Sequence, residues 1–243
     1  MRYERQRKVI GTLDQDKLKN SAVCIIGCGG LGCPIALYMA ASGIGKITLI
    51  DNDIVSLSNL HRQILFGEKD IGLPKVDVAR NSLLLLNSHV EVVSIKDNVT
   101  ADNVDKYIPG HDLIIMGCDN LPTRYVINDA CCAMQIPFIN ASVLGDEGTI
   151  TFFDVAHGCY RCLYPDPLSD QMIPPPDKVG VLGALAGVIG TATATMGIEI
   201  LVGQKKNYLN KIFVFDALSL EMKSFLFLKD NHCSSCSSCH HIL

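Results

Sequence analysis

The sequence predicts an α/β fold: a doubly wound, mostly parallel sheet extended by antiparallel strands. Three observations carry that expectation. Between residues 23 and 142, apolar runs of strand length alternate with helical patterns. The first run, 23–26, breaks into Gly27-Cys28-Gly29-Gly30-Leu31-Gly32 and leads into a small-residue helical pattern that ends near Ser42. Past Gly145 the pattern changes. Residues 148–155, 212–216 and 222–228 read as strands, with no helix between the last pair.

In chain order, residues 1–20 read as an arm of one or two surface helices carrying Arg2, Arg5 and Arg7. A second apolar strand, 47–50, follows the glycine turn and its helix and ends in Asp51. Strand, glycine turn, helix and acid-tipped strand make a Rossmann-like βαβ unit for a nucleotide. Gly27, Gly29, Gly30 and Gly32 let backbone approach phosphate, the helix start offers unpaired N–H groups, and Asp51 accepts ribose hydroxyls. The spacing does not name the nucleotide, and an NAD-dependent oxidoreductase would use the same unit.

A polar segment, 51–70, comes next. Pro74 opens a helix through Asn87, with Lys75 at its start against the helix dipole, which marks Lys75 for function. A strand is expected over 90–99, then a helix over 100–108 capped by Thr100, and a strand over 112–116 that runs into Gly117-Cys118-Asp119-Asn120. Acids after parallel strands gather at the ligand crevice of open α/β sheets, so Asp51 and Asp119 are expected near one another. A helix over 123–135 and a strand over 138–142 complete this half.

With 243 residues, one large domain is expected: an arm (1–20), a nucleotide-binding half (21–145) and a second half (146–243). The crossover loop within the second half, 165–182, holds prolines 165, 167, 174, 175 and 176. Apolar residues at 48% against 19% charged supply ample core, and a net charge of −4 argues against a nucleic-acid partner. No apolar run follows the charged first nine residues, so no secretory signal is expected. Residues 181–203 are rich in Gly, Ala and Thr and include Glu199, which fits a buried, closely packed helix better than a membrane span.

Six of the eleven cysteines (24, 28, 33, 118, 131 and 132) look like small buried residues of a reducing, cytoplasmic interior. The rest form Cys159-x-x-Cys162 and Cys233-x-x-Cys236-x-x-Cys239. Two C-x-x-C knuckles are what a tetrahedral Zn²⁺ needs from thiolates, and four sulfurs leave no open position, so the site would be structural. Cys159, Cys162, Cys233 and Cys236 are the chosen ligands; Cys239, His232, His240 or His241 could replace one of the second pair.

Taken together, these residues resemble the MoeB/ThiF/HesA family, bacterial relatives of ubiquitin-activating enzymes, over nearly the whole chain. The likeness rests on Arg5 in Tyr3-Glu4-Arg5-Gln6, the glycine turn, Asp51-x-Asp53, Ser58-Asn59-Leu60-x-Arg62-Gln63 and Gly72-x-Pro74-Lys75. Asp119-Asn120-x-x-Thr123-Arg124 and the cysteine pairs complete it. The resemblance implies ATP-dependent adenylylation of the C-terminal glycine of a ubiquitin-like sulfur-carrier protein ending in Gly-Gly, for thiamine or molybdopterin synthesis; a peptide or another carrier is the alternative substrate. It implies that Asp51 holds the ribose with Asp53 and Ser58 nearby, and that Asn59, Arg62 and Lys75 line the triphosphate. Asp119, beside Asn120, would hold Mg²⁺. It also implies a homodimer in which Arg5 reaches the partner's nucleotide. Many relatives place a cysteine in the crossover loop; by alignment that position is Pro176. The expectation is an enzyme that stops at the acyl-adenylate, with a separate sulfurtransferase supplying the persulfide.

Overall fold

The fold was obtained as a computed structural model that describes residues 2–165 and 179–237. One eight-stranded sheet runs in the order β3-β2-β1-β4-β5-β6-β7-β8. Its parallel part comprises β1 (Ala22–Ile26), β2 (Lys46–Ile50), β3 (Glu91–Ile95), β4 (Leu113–Met116) and β5 (Phe138–Leu144). β1 and β4 are apolar throughout because both faces are covered, as parallel strands require. The antiparallel extension is β6 (Glu147–Phe153), β7 (Lys211–Asp216) and β8 (Glu221–Leu226).

Helices α1 (Glu4–Ile10) and α2 (Thr12–Asn20) form the arm, and α3 (Gly32–Ser42) and α4 (Lys75–Leu86) follow the first two strands. Short α5 (Val104–Tyr107), α6 (Leu121–Met134) and short α7 (Tyr160–Leu163) lie on the opposite face. The long α8 (Gly183–Leu201) returns to the α3 face. One core therefore joins α3, α4 and α8 to the sheet, around Ile25, Met39, Leu49 and Ile189. The other joins α5, α6, α7 and the tail, around Ile114, Phe138, Phe153 and Tyr160.

By length and composition α8 could cross a membrane, yet half of its apolar stretch is buried within the protein. Its small residues explain how: a Cβ on Gly190 would lie 2.4 Å from Pro34 Cγ and 2.8 Å from the Leu31 carbonyl oxygen. α8 is the close-packed core helix expected from its composition.

Several boundaries differ from expectation. The third strand ends at Ile95, and the helix placed at 100–108 shrinks to Val104–Tyr107. Asn103 Oδ1 accepts from the Thr100 amide, its Nδ2 bonds Asp97 and the Asn98 carbonyl, and the Tyr107 hydroxyl donates to Asp97. The Thr100 carbonyl still accepts from the Asn103 and Val104 amides at 3.3 and 3.0 Å, so one turn forms there, but regular helix begins only at Val104. α6 starts at Leu121 rather than 123, because Asn120 Oδ1 accepts from the Thr123 amide as an N-cap. Of the proline-rich crossover loop, Pro165 and residues 179–182 are described; prolines 167, 174, 175 and 176 lie outside the described residues, as do Cys239, His240 and His241.

Candidate nucleotide site and cysteine cluster

The parallel strands diverge where β1 has β2 on one side and β4 on the other. A cleft of about 1250 Å³ opens there beyond their C-terminal ends, the topological switch point of an open α/β sheet. Gly27, Gly29, Gly30, Asp51, Asp53, Ser58, Asn59, Arg62, Lys75, Asp119 and Asn120 all line it, so the chain brings these predicted residues together, Asp51 and Asp119 included.

The glycines divide by role. Gly27 has φ +99°, and a Cβ there would press to 2.9 Å on the backbone of Gly117 and Cys118. Gly32 is absent from the cleft wall. Its Cβ would stand 1.9 Å from the Gly27 carbonyl oxygen, so the turn itself closes this position to any side chain. Asp51 fastens the turn to β2: Oδ2 accepts from the Cys28 amide at 2.6 Å and Oδ1 from the Asp53 amide at 2.8 Å. Each oxygen keeps a lone pair for a further donor.

Lys75 is buried at the start of α4, and its ammonium lies 2.7 Å from Asp53 Oδ2. That ion pair offsets the unfavourable cation at a helix N-terminus. Arg62 sits beside the turn, with Cγ 3.3 Å from a Cβ built on Gly30, and its Nη1 bonds the Ser58 carbonyl and His61 Nε2. Arg5 is exposed on α1 and does not line the cleft. The arm is tied to the C-terminal ends of α4 and α3, since the Tyr3 hydroxyl accepts from Asn87 Nδ2 at 2.8 Å and Gln6 Nε2 donates to the Ser42 carbonyl at 2.8 Å.

Other residues of the wall had no assigned role. Gln63, Arg124 and Asn140 are buried polar side chains on the cleft, joined by Ser142, Tyr160 and Tyr164. Gln63 and Arg124 stand inside stretches already singled out, but only as motif letters. Asn140 gave one signal, a lone amide in the apolar strand Phe138-Ile139-Asn140-Ala141. Burial pushes the Cys118 thiol up, with Arg124 acting against it, so Cys118 faces the cleft as a neutral thiol. Burial likewise raises the Tyr160 and Tyr164 phenols.

The cysteine pairs meet below α6. Cys159 Sγ lies 4.0 Å from Cys162 Sγ and 3.5 Å from Cys233 Sγ, and Cys162 Sγ lies 3.4 Å from Cys236 Sγ. All four sulfurs fall within 4.8 Å of one another. A tetrahedron with Zn–S bonds of about 2.3 Å has sulfur–sulfur edges of about 3.8 Å, so the cluster fits Zn²⁺ with these four ligands. Around it, Arg161 donates two hydrogen bonds to the Asp129 carboxylate at 2.8 and 2.7 Å, and Ser235 Oγ donates to the same carboxylate at 2.5 Å, pinning the tail to α6 and α7.

The ThiF family signature matches residues 3–237. This chain belongs to the ThiF family. Among its relatives, "Adenylyltransferase and sulfurtransferase MOCS3" of Aedes aegypti is 41% identical over 246 residues, covering 97% of this chain and 55% of that protein. The Xenopus laevis protein of the same name is 39% identical, covering 98% and 54%. This ThiF-family chain thus spans about half the length of the curated relatives it matches. Among solved structures, E. coli MccB with ATP superposes with a TM-score of 0.86 at 29% identity, over 98% of this chain and 75% of that one. MccB in complex with N-formylated MccA, described as a microcin C7 biosynthetic enzyme, gives 0.87 at 28%, over 97% and 75%.

Proposed function

We propose that this ThiF-family chain adenylylates the C-terminal glycine carboxylate of a ubiquitin-like sulfur-carrier protein ending in Gly-Gly, using ATP and releasing pyrophosphate. The observation that carries the reading is the cleft at the strand switch point, where a glycine turn and helix start meet Arg62 and Lys75. The carrier's carboxylate oxygen bonds to the α-phosphorus as the bond from that phosphorus to the pyrophosphate oxygen breaks. Negative charge accumulates on the phosphoryl oxygens and the leaving group. Fixed cations stabilise it without any protein nucleophile.

In this reading Asp51 accepts from the ribose hydroxyls, and Gly29, Gly30 and the start of α3 face the phosphates. Asn59, Arg62 and Lys75 line the triphosphate, with Asp53 holding the Lys75 ammonium in place. Asp119, an oxygen donor on the wall beside Asn120, would hold Mg²⁺, which supplies charge neutralisation at the phosphates. Arg5, exposed on the arm, would serve the nucleotide of a second copy in a homodimer. The reading includes a cytoplasmic setting and a role in molybdopterin or thiamine synthesis; the relatives' names pair an adenylyltransferase with a sulfurtransferase, which supports adenylylation for sulfur transfer. Sulfur would then reach the adenylate from a sulfurtransferase, without a crossover-loop thioester at Pro176.

The test is ATP–pyrophosphate exchange with a panel of purified carrier proteins ending in Gly-Gly, with a free peptide acid as a second arm. Exchange that depends on a carrier supports the reading. Exchange with the peptide alone assigns the chain to peptide activation. No exchange, with NAD(H) bound in place of ATP, overturns the reading.

A further inference from the structure

Two groups on the α6 side of the cleft lack partners of the kind they need. Arg124 is 6% exposed. Its Nε and Nη2 bond the Cys118 carbonyl at 3.2 and 2.8 Å, and Nη2 reaches Ser142 Oγ at 3.5 Å. Among the described residues it forms no ion pair, whereas Lys75 on the opposite wall has Asp53. A buried guanidinium whose hydrogen bonds go to neutral groups is costly unless an anion joins it. Asn140 stands on β5 two residues before Ser142, hence on the same face of the strand. It is 3% exposed, and its Oδ1 accepts no hydrogen bond. A buried acceptor without a donor is a second cost, relieved by an N–H from outside.

The pair therefore asks for an anion and an N–H donor side by side. ATP carries phosphates and an adenine amine, but at opposite ends of the molecule. A peptide C-terminus carries a carboxylate and the amide N–H of the same residue, with one carbon between them. The cleft also exceeds the roughly 300–1,000 Å³ of an ordinary ligand pocket, leaving space beside a nucleotide. Arg62, at the glycine turn, already supplies a cation where the phosphates would lie.

We infer that Arg124 and Asn140 form the seat for the carrier's terminal glycine: the guanidinium holds its carboxylate, and the Asn140 side-chain carbonyl accepts its amide N–H. This rests on the adenylylation reading and adds to it the residues that orient the attacking acid. One carboxylate oxygen rests on Arg124, which leaves the other to attack the α-phosphorus. Both are substrate-binding residues distinct from the phosphate-facing cations.

The experiment uses the full chain and a Gly-Gly carrier that supports wild-type exchange, prepared in its native acid form and as the C-terminal carboxamide. Affinities for both are measured in the presence of a non-hydrolysable ATP analogue. The wild type is expected to prefer the acid by roughly tenfold or more, the usual yield of a charge-assisted hydrogen bond. Arg124→Gln should lose that preference while binding the ATP analogue within about threefold of the wild type. Asn140→Asp sets a carboxylate against Arg124 in the seat. It should weaken the acid carrier more than the amide and leave thermal stability undiminished, an outcome that a merely structural Asn140 would not give; it also serves if Arg124→Gln fails to fold. An undiminished acid preference in either folded variant overturns the inference, as does loss of ATP-analogue affinity in Arg124→Gln with the acid preference kept. Failure of every carrier to support wild-type exchange is a different result, which removes the adenylylation reading itself.

Discussion

The Lys75 ammonium lies 2.7 Å from the Asp53 carboxylate, yet the lysine side chain is 4% exposed and the aspartate 69%. The pair is lopsided: one charge is committed to the interior of the cleft, and the other stands in water and holds it there. Removing the two partners should therefore have different consequences. Asp53→Ala leaves a buried ammonium without its anion and should lower stability by about 1–2 kcal/mol, a figure reduced from the fully buried case because Asp53 is solvated. Lys75→Ala leaves only a hydrated aspartate. It should keep the urea midpoint nearer to wild type while carrier-dependent exchange falls about 10²–10³-fold. Urea unfolding and pyrophosphate exchange on both variants check this.

Arg62 contributes little to folding, since its hydrogen bonds go to the exposed Ser58 carbonyl and the neighbouring His61. Arg62→Ala is expected to fold normally by circular dichroism and to lose exchange by about 10²–10³-fold. Near-normal exchange would remove Arg62 from the phosphate site.

The glycine turn makes a fold-level prediction. A Cβ at position 29 meets nothing closer than 3.8 Å, whereas one at position 32 would overlap the Gly27 carbonyl oxygen at 1.9 Å. Gly29→Ala should leave the melting temperature almost unchanged. Gly32→Ala should lower it by several degrees and weaken ATP binding, because the turn must open to admit the methyl group. Thermal melts of the two variants side by side give the answer.

Metal content tests the cysteine cluster. Elemental analysis should find about one zinc per chain in protein purified without chelator. Cys236→Ser or prolonged chelation should release it and free the tail, exposing the Asp129–Arg161–Ser235 junction to proteolysis. Full stability without zinc would contradict a structural metal.

Asp154 sets a pH dependence. Burial works against its ionisation, but the Lys205 ammonium at 2.8 Å and the Ala156 amide outweigh it and hold the carboxyl below the usual carboxylate range. A lowered folded-state value means that the stabilisation is fully present above the unfolded carboxylate range, about pH 4, and is lost as pH falls through the folded value. Lys205→Met should lower stability at pH 7, where the stabilisation is fully present, with the loss shrinking as pH falls through the folded value, and should raise the pH of acid unfolding. An unmoved acid transition would show that the pair is screened out in solution.

Much of this was legible in the sequence because the signals were periodic or covalent. The run from Val23 through the glycine turn to Asp51 could form little other than a βαβ unit, and the paired C-x-x-C knuckles announced their own geometry. Where side chains bond backbone, reading slipped: Asn103 takes the Thr100 amide in the turn that precedes α5, and Asn120 starts α6 early by capping it. The press of Gly32 on the Gly27 carbonyl was hidden too, because spacing does not reveal which glycine a turn closes against itself. The seat formed by Arg124 and Asn140 was hidden for a related reason. Arg124 is carried by α6 and Asn140 by β5, and only the packing of α6 on the sheet, with Arg124 reaching Ser142, brings both to one side of the cleft.

The most direct test is the intact mass of a Gly-Gly carrier after brief incubation with the protein, ATP and Mg²⁺ under conditions that spare acyl phosphates. The account predicts a carrier heavier by one AMP and no covalent carrier–enzyme species. A carrier of unchanged mass despite bound ATP, or a thiol-sensitive adduct on any cysteine of this chain, would contradict it.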